Sequence, residues 1–148
     1  MTEIRIYQML PNQLSKKIIS ELEDIFQKDL CSVILFGSYA KGIAQTYSDI
    51  DILIILNRKF TIWTDRRDLE IELRKRLYRT IGQVSPKTAS IEELEMALEN
   101  LNPLILNIID SGITLFDNGT FAKLKKQFDK IVPGKVIKHP DYWEVVEA

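Results

Sequence analysis

Cysteine and histidine are nearly missing from this chain of 148 residues, which has one of each, Cys31 and His139. A single cysteine cannot close an intramolecular disulfide, and no Cys/His spacing suggests a zinc site. One histidine excludes any mechanism that needs two. Neither sign of charge is in excess: 20 basic and 21 acidic side chains leave a net charge of −1. That balance does not indicate a nucleic-acid-binding surface, although it leaves room for a local basic patch. No apolar run approaches the roughly 20 residues of a membrane-spanning helix, so no membrane is expected. No secretory signal is visible, and the expected location is a reducing, cytoplasmic one. Internal repeats, low-complexity segments and flexible linkers are lacking too.

What is present is the material of an ordinary globular chain, with 45% apolar and 28% charged residues. One domain over 1–148 is expected, long enough to bury a core. Residues 3–7 alternate and read as a short strand. Leu14, Ile18, Leu22, Ile25 and Phe26 recur at helical spacing from Gln13 to about Gln27. Val33–Phe36 and Asp49–Leu56 are dense in β-forming apolar residues and read as central strands. Thr64 is placed to cap a helix running to about Arg79, whose charged face reads as solvated surface. Ile81–Thr88 reads as an edge strand, where Pro86 is tolerated. Ser90 and Glu93 form a capping-box pattern, and Asn102-Pro103 opens another helix. Ile113–Phe116, a turn at Asp117-Asn118-Gly119, a helix carrying Phe121, Leu124 and Phe128, and a tail complete the chain. Helices alternating with short strands give an α/β (α+β) class with a small mixed sheet flanked by helices.

The chemistry concentrates at Phe36-Gly37-Ser38-Tyr39-Ala40-Lys41-Gly42 and Ser48-Asp49-Ile50-Asp51. Residues two apart on a strand share a face, so Asp49 and Asp51 point the same way. Two such carboxylates repel unless a cation lies between them. Mg²⁺ fits, because it takes one or two protein carboxylates and fills its other positions with water and phosphate oxygens. Gly37 lets a phosphate approach the backbone, and the helical turn after it offers unpaired N–H groups. Either half alone is weak, since Gly-Ser is common in turns and an Asp-x-Asp often opens a strand. Together, as Gly-Ser, ten residues and Asp-x-Asp, they arise by chance in about two chains in a thousand of this length. Lys41 adds a phosphate contact or is simply exposed on the turn. Ser48 orients Asp49 or caps the turn. Ser38-Tyr39-Ala40-Lys41 also fits the Ser-x-x-Lys of serine acyl enzymes, but the accompanying Ser-Asp-Asn and Lys-Thr-Gly elements are absent.

Gly-Ser, ten residues and Asp-x-Asp resembles the signature of the DNA polymerase β-like nucleotidyltransferase superfamily. The short chain and its Gly37-Ser38-x-x-x-Gly42 form resemble the minimal nucleotidyltransferase branch. The resemblance covers about 14–117; the C-terminal helix and tail, 119–148, have no counterpart in it. It implies the polymerase β-like palm fold and transfer of a nucleoside monophosphate, AMP from ATP, to an acceptor hydroxyl or phosphate. It gives Gly37, Ser38, Lys41 and Ser48 to the nucleotide, and Asp49 and Asp51 to Mg²⁺ and to catalysis. Many members of the branch are antitoxins paired with a HEPN-domain protein, and some inactivate it by attaching AMP. A HEPN-domain partner is therefore implied.

One departure bears on activity. Active members carry a third carboxylate on the strand after the next helix, and here Ile81–Thr88 contains no acid. Gln83 or Ser85 takes that position, while Glu92 and Glu93 are better explained by capping and surface roles. A second reading thus stands beside the enzyme: a non-catalytic antitoxin module that binds nucleotide or partner through a degenerate site. Val136, Ile137, Tyr142 and Trp143 read as an exposed apolar set that marks an interface, with a partner or a second copy of the chain. Trp63 and Trp143 could form a base-stacking platform, but partial burial against the core or a partner is expected, and His139 is expected to lie on the surface.

Overall fold

The computed structural model describes residues 9–146; the strand expected at 3–7 lies outside them. The first helix, α1 (Asn12–Phe26), is followed by a 3-10 turn, Gln27–Asp29, and by β1 (Leu30–Phe36). A four-residue helix, α2 (Ser38–Lys41), leads toward β2 (Ile50–Leu56). Then come α3 (Trp63–Thr80), β3 (Val84–Ser90), α4 (Ile91–Glu99) and α5 (Pro103–Ser111). The chain ends in β4 (Ile113–Asp117), α6 (Thr120–Ile131), β5 (Val136–Lys138) and β6 (Trp143–Val145).

The first four strands form one sheet in the order β3-β2-β1-β4. β1 pairs antiparallel with β2 and with β4, whereas β2 and β3 are parallel and joined through α3. The mixed sheet is thus the expected one, with Pro86 on its edge strand. Both central strands are apolar on both faces because helices cover both. Val33, Leu35, Ile52 and Ile54 pack against Ile18, Leu22, Leu73 and Leu77 of α1 and α3. Ile34, Leu53 and Ile55 pack against α4, α5 and α6 through Leu94, Leu98, Leu106, Phe121 and Phe128. The capping box at Ser90 is complete, since its hydroxyl accepts from Glu93 N and the Glu93 carboxylate accepts from Ser90 N.

Several expectations shift. β1 starts at Leu30 rather than Val33, because Leu30 and Cys31 are buried and Ser32 pairs with Asp117. The cap of α3 is Ile62, which has the extended backbone that Thr64 was expected to adopt. β3 runs two residues further, to Ser90. The charged face of α3 is only partly solvated. Arg76 donates to Glu21 Oε2 at 2.8 Å and to Asp24 Oδ2 at 2.7 Å, which ties α3 to α1. Arg66 pairs with Glu93 and so ties α3 to α4. The tail, given no element from sequence, folds into the β5–β6 hairpin. Val136 is fully buried and Trp143 is packed on Phe128, with its indole N–H donating to Asn107 Oδ1 at 2.7 Å. Neither belongs to an exposed interface, although Tyr142 remains exposed. Trp63, expected to be partly buried, is 71% exposed. His139 is half-buried, stacked on Tyr142 and bonded to Glu144.

Asp117 is more than a turn residue. Its Oδ1 accepts from Ser32 Oγ at 2.7 Å, Gly119 N at 3.1 Å and Phe121 N at 3.0 Å, and its Oδ2 from Ala122 N at 3.2 Å. One carboxylate thereby joins β1, β4 and the start of α6. Burial pushes its pKa up, but the bonds from Ser32, Phe121, Gly119 and Ala122 outweigh that and hold it below the usual value. A lowered carboxylate stabilises the fold above its unfolded pKa and loses that contribution as pH falls through its folded pKa. Asp117→Ala should therefore cost about 1–3 kcal/mol near neutral pH, and the cost should shrink on acidification below about pH 4. Chemical denaturation of both proteins across pH measures it.

Candidate active site

The centre of the site is set by strand register. Phe36, the last residue of β1, pairs with Asp51 of β2. Gly37 follows with φ 74° and ψ −152°, a region that side-chain-bearing residues rarely enter. A Cβ built on Gly37 collides with Asp51 Oδ2 and lies 3.2 Å from its Cγ. Glycine is thus required both by the turn and by the carboxylate packed against it. Lys41 N donates to Gly37 O at 3.1 Å and Ile43 N to Ser38 O at 3.0 Å, closing one helical turn. Gly42, at φ 72°, ends it. The first amides of such a turn have no intrahelical acceptor, and Ser38 stands among them, half-buried.

Asp49 lies one residue ahead of β2 and is exposed, while Asp51 is half-buried. Neither carboxylate has a hydrogen-bond or ion-pair partner among the described residues. Burial, and then repulsion from Asp49, push the Asp51 pKa up, while Lys87 and Arg74 pull it down. Ser48 serves the turn: its hydroxyl accepts from Gln45 N at 2.8 Å and its own N–H donates to Gln45 O at 3.0 Å. Lys41 is exposed and borders a cavity of about 660 Å³ shared with Asp110 and Ser111 of α5 and with the C-terminal hairpin.

The neighbouring strand supplies no acid. Ser85 is the residue directly opposite Asp51, whereas Gln83 precedes β3 and accepts from Ile50 N at 2.8 Å. The Ser85 hydroxyl takes a 3.0 Å bond from Arg74 Nη2. Lys87 follows Ser85 by two and so shares the Asp51 face. The nearby glutamates are otherwise engaged. Glu93 caps α4 and pairs with Arg66, and Glu70 accepts from the backbone and hydroxyl of Thr88, both at 3.0 Å. Among the described residues no group of three or more His, Cys, Asp or Glu side chains is placed to hold a metal. The donors present, two bare carboxylates whose mutual charge disfavours both being ionised, suit a hard divalent cation that completes its shell with water and phosphate oxygens. Sequence reasoning overlooked Arg74 and Lys87. Lys87 could have been found from its even spacing to Ser85, but Arg74 was hidden among the many charges of α3.

This arrangement defines a class. The chain belongs to the nucleotidyltransferase domain family, whose model matches residues 15–131. Over 116 residues it is 34% identical to MJ1305 of Methanocaldococcus jannaschii, a candidate protein adenylyltransferase, covering 76% of each chain. The fold agrees with solved structures at lower identity. A toxin–antitoxin crystal structure with AMP-PNP matches at 16% identity and a TM-score of 0.54, covering 78% of this chain and 85% of that one. A chain from the complex of tri-AMPylated Shewanella oneidensis HEPN toxin with MNT antitoxin matches at 16% identity and a TM-score of 0.50, covering 82% and 86%. The nucleotidyltransferase assignment and fold expected from the motif are thus met. The match ends before the β5–β6 hairpin. No helix among the described residues is long and apolar enough to cross a membrane.

A carboxyl whose pKa is raised by folding opposes folding once it ionises, so its cost appears as pH rises through the folded value. Without metal, Asp51→Asn should raise the melting temperature near pH 7, and the gain should vanish below about pH 4, where the Asp51 carboxyl is protonated in the folded protein. Thermal melts at the two pH values check this. Gly37→Ala should lower stability, because Asp51 has to move and the φ is strained; a loss of about 1–3 kcal/mol by denaturant titration is expected.

Proposed function

We propose that this chain transfers AMP from ATP to a protein partner, with Asp49 and Asp51 holding Mg²⁺. The observation that carries the reading is the packing of Asp51 against Gly37. It sets a carboxylate beside a turn where a glycine lets phosphate oxygens approach the backbone. The amides after Gly37 and the Ser38 hydroxyl hold the β- and γ-phosphates. Lys41 reaches the same phosphates from the end of the turn. Ser48 keeps the loop before Asp49 closed, which fixes where that carboxylate lies. When bound, the metal supplies Lewis-acid polarisation of the α-phosphate and charge neutralisation for departing pyrophosphate. The chain contributes positioning and fixed charge, and these are the main terms in phosphoryl chemistry.

The partner proposed is a HEPN-domain protein, with this chain as its antitoxin. The supports are the fold shared with a complex of tri-AMPylated HEPN toxin and MNT antitoxin, and the adenylyltransferase relatives. The whole of 1–148 acts as one nucleotidyltransferase domain in the cytoplasm, where ATP and Mg²⁺ are supplied. A second reading, inhibition by binding alone, is favoured by the missing acid opposite Asp51.

The test uses ATP labelled at the α-phosphate, Mg²⁺ and a HEPN-domain protein as acceptor. Label should move to the partner with release of pyrophosphate. Asp49→Ala together with Asp51→Ala should lower transfer by at least about 10³-fold. Partner inhibition that persists in the double variant, with no label transferred by the native protein, would establish the second reading instead.

A further inference from the structure

The sheet order assigns directions to the reaction. The turn proposed for the β- and γ-phosphates follows β1, Asp51 lies on β2, and β3 lies on the far side of β2 from β1. In an in-line displacement the attacking and leaving oxygens stand on opposite sides of the phosphorus. Pyrophosphate held after β1 departs on the β1 side, so the acceptor enters from β3. That entry is cationic. Ser85 faces Asp51 and is held by Arg74, and Lys87 follows on the same face. A groove of about 500 Å³ continues outward from Arg74 along α3, past Pro86, Ile71, Arg67 and Trp63. The charged groups around Asp51 at this entry are Asp49 just ahead of β2, Arg74 from α3 and Lys87 from β3. Glu70 also lines this groove, and with Glu93 it lines a second cavity beside Lys87; Glu70 is bound to Thr88 and Glu93 to Arg66.

We infer that Arg74 and Lys87 form an acceptor-side oxyanion site, stabilising the attacking hydroxyl oxygen as it ionises in place of a carboxylate that would remove its proton. The inference rests on the proposed nucleotidyl transfer. The acceptor O–H proton passes to solvent. The oxygen forms a bond to the α-phosphorus, and the α–β bridging bond breaks with its electron pair leaving on pyrophosphate. Two positive groups beside the nucleophile make its anion more accessible without a protein base. Such a site selects the more acidic hydroxyls, because fixed positive charge shifts ionisation by a few pH units at most.

The test uses the full chain with ATP and Mn²⁺, and phenol, an acidic hydroxyl, as the acceptor probe. Pyrophosphate release by the native protein should climb steadily from about pH 6 to 9, as expected where no protein base titrates. Arg74→Gln with Lys87→Gln should lower kcat by about 10²-fold with KM for ATP little changed. The same variant should bind Mn²⁺ as tightly as the native protein or more so, because positive charge beside Asp51 is gone. Arg74→Lys should restore most of the rate. An unchanged kcat, a loss carried by KM, weaker Mn²⁺ binding or a flat native pH profile would each overturn the inference. Native protein that binds Mn²⁺ and ATP but releases no pyrophosphate at any pH overturns it as well. Failure of the native protein to bind ATP would bring down the proposed function too, whereas ATP binding and transfer indifferent to Arg74 and Lys87 would remove this inference alone.

Discussion

The pairing of Phe36 with Asp51 is the constraint from which the site follows. β1 delivers a glycine at the point where β2 presents a carboxylate, and the two are in contact. Neither strand can slide. A one-residue slip would turn Ile52 and Ile54 out of one core and Leu53 and Ile55 out of the other. Register, which the apolar residues enforce for reasons of burial, thereby fixes the separation of the turn at Gly37 and the carboxylate of Asp51, proposed to take phosphate and metal. The site's own chemistry works against folding: Asp51 is half-buried beside another acid. A sheet covered on both faces supplies the stability that offsets this, as is common where strained or charged groups are held for function.

The remaining elements hold this frame. α1 and α3 cover one face and are bridged by Arg76 to Glu21 and Asp24. The bond to Asp24 is exposed and that to Glu21 only part-buried, so each contributes little, and apolar packing carries the adhesion while the charges set the helices' relative placement. On the other face Asp117 gathers four donors from β1 and the start of α6. The C-terminal hairpin is fastened by Val136 in the core, by Trp143 on Phe128 and by Lys138 on Asp110. It closes one wall of the cavity that Lys41 borders, and so makes a segment outside the family match part of the surroundings of α2.

Periodicity made the central strands, the mixed sheet and the helices legible, because burial on one or two faces writes itself into apolar spacing. The Gly37-Ser38 and Asp49-x-Asp51 pairing was legible for a different reason: short polar residues at the ends of apolar runs have few structural uses together. What stayed hidden depended on contacts distant in the chain. Ser32 and Asp117 are 85 residues apart, and nothing local marks Asp117 as more than a turn. Val136 and Trp143 look like surface apolar residues until the hairpin folds back on α5 and α6. Ser85 could be narrowed to one of two residues, but only the β2–β3 register distinguishes it from Gln83. Arg74 is indistinguishable from its charged neighbours on α3 until β3 is laid beside it.

Charge runs across the site in one direction, and that ordering bears on what kind of transferase this is. The two acids stand on or just before β2, while the strand beyond them carries Ser85 with Arg74, and Lys87. A third acid opposite Asp51 would add a second like-charge repulsion to a carboxyl already pushed up by burial and Asp49. A hydroxyl bound to a guanidinium relieves that repulsion instead. The metal-free protein is then less strained, and divalent-metal affinity is correspondingly lower, because the ligand set is smaller and faces positive charge. The loss falls on ground-state metal binding. The return is a positively charged approach for the acceptor, effective at the moment its oxygen develops charge. If the proposed transfer holds, such a site depends on its nucleotide to bring the metal in, since phosphate oxygens would supply the anionic ligands that β3 does not.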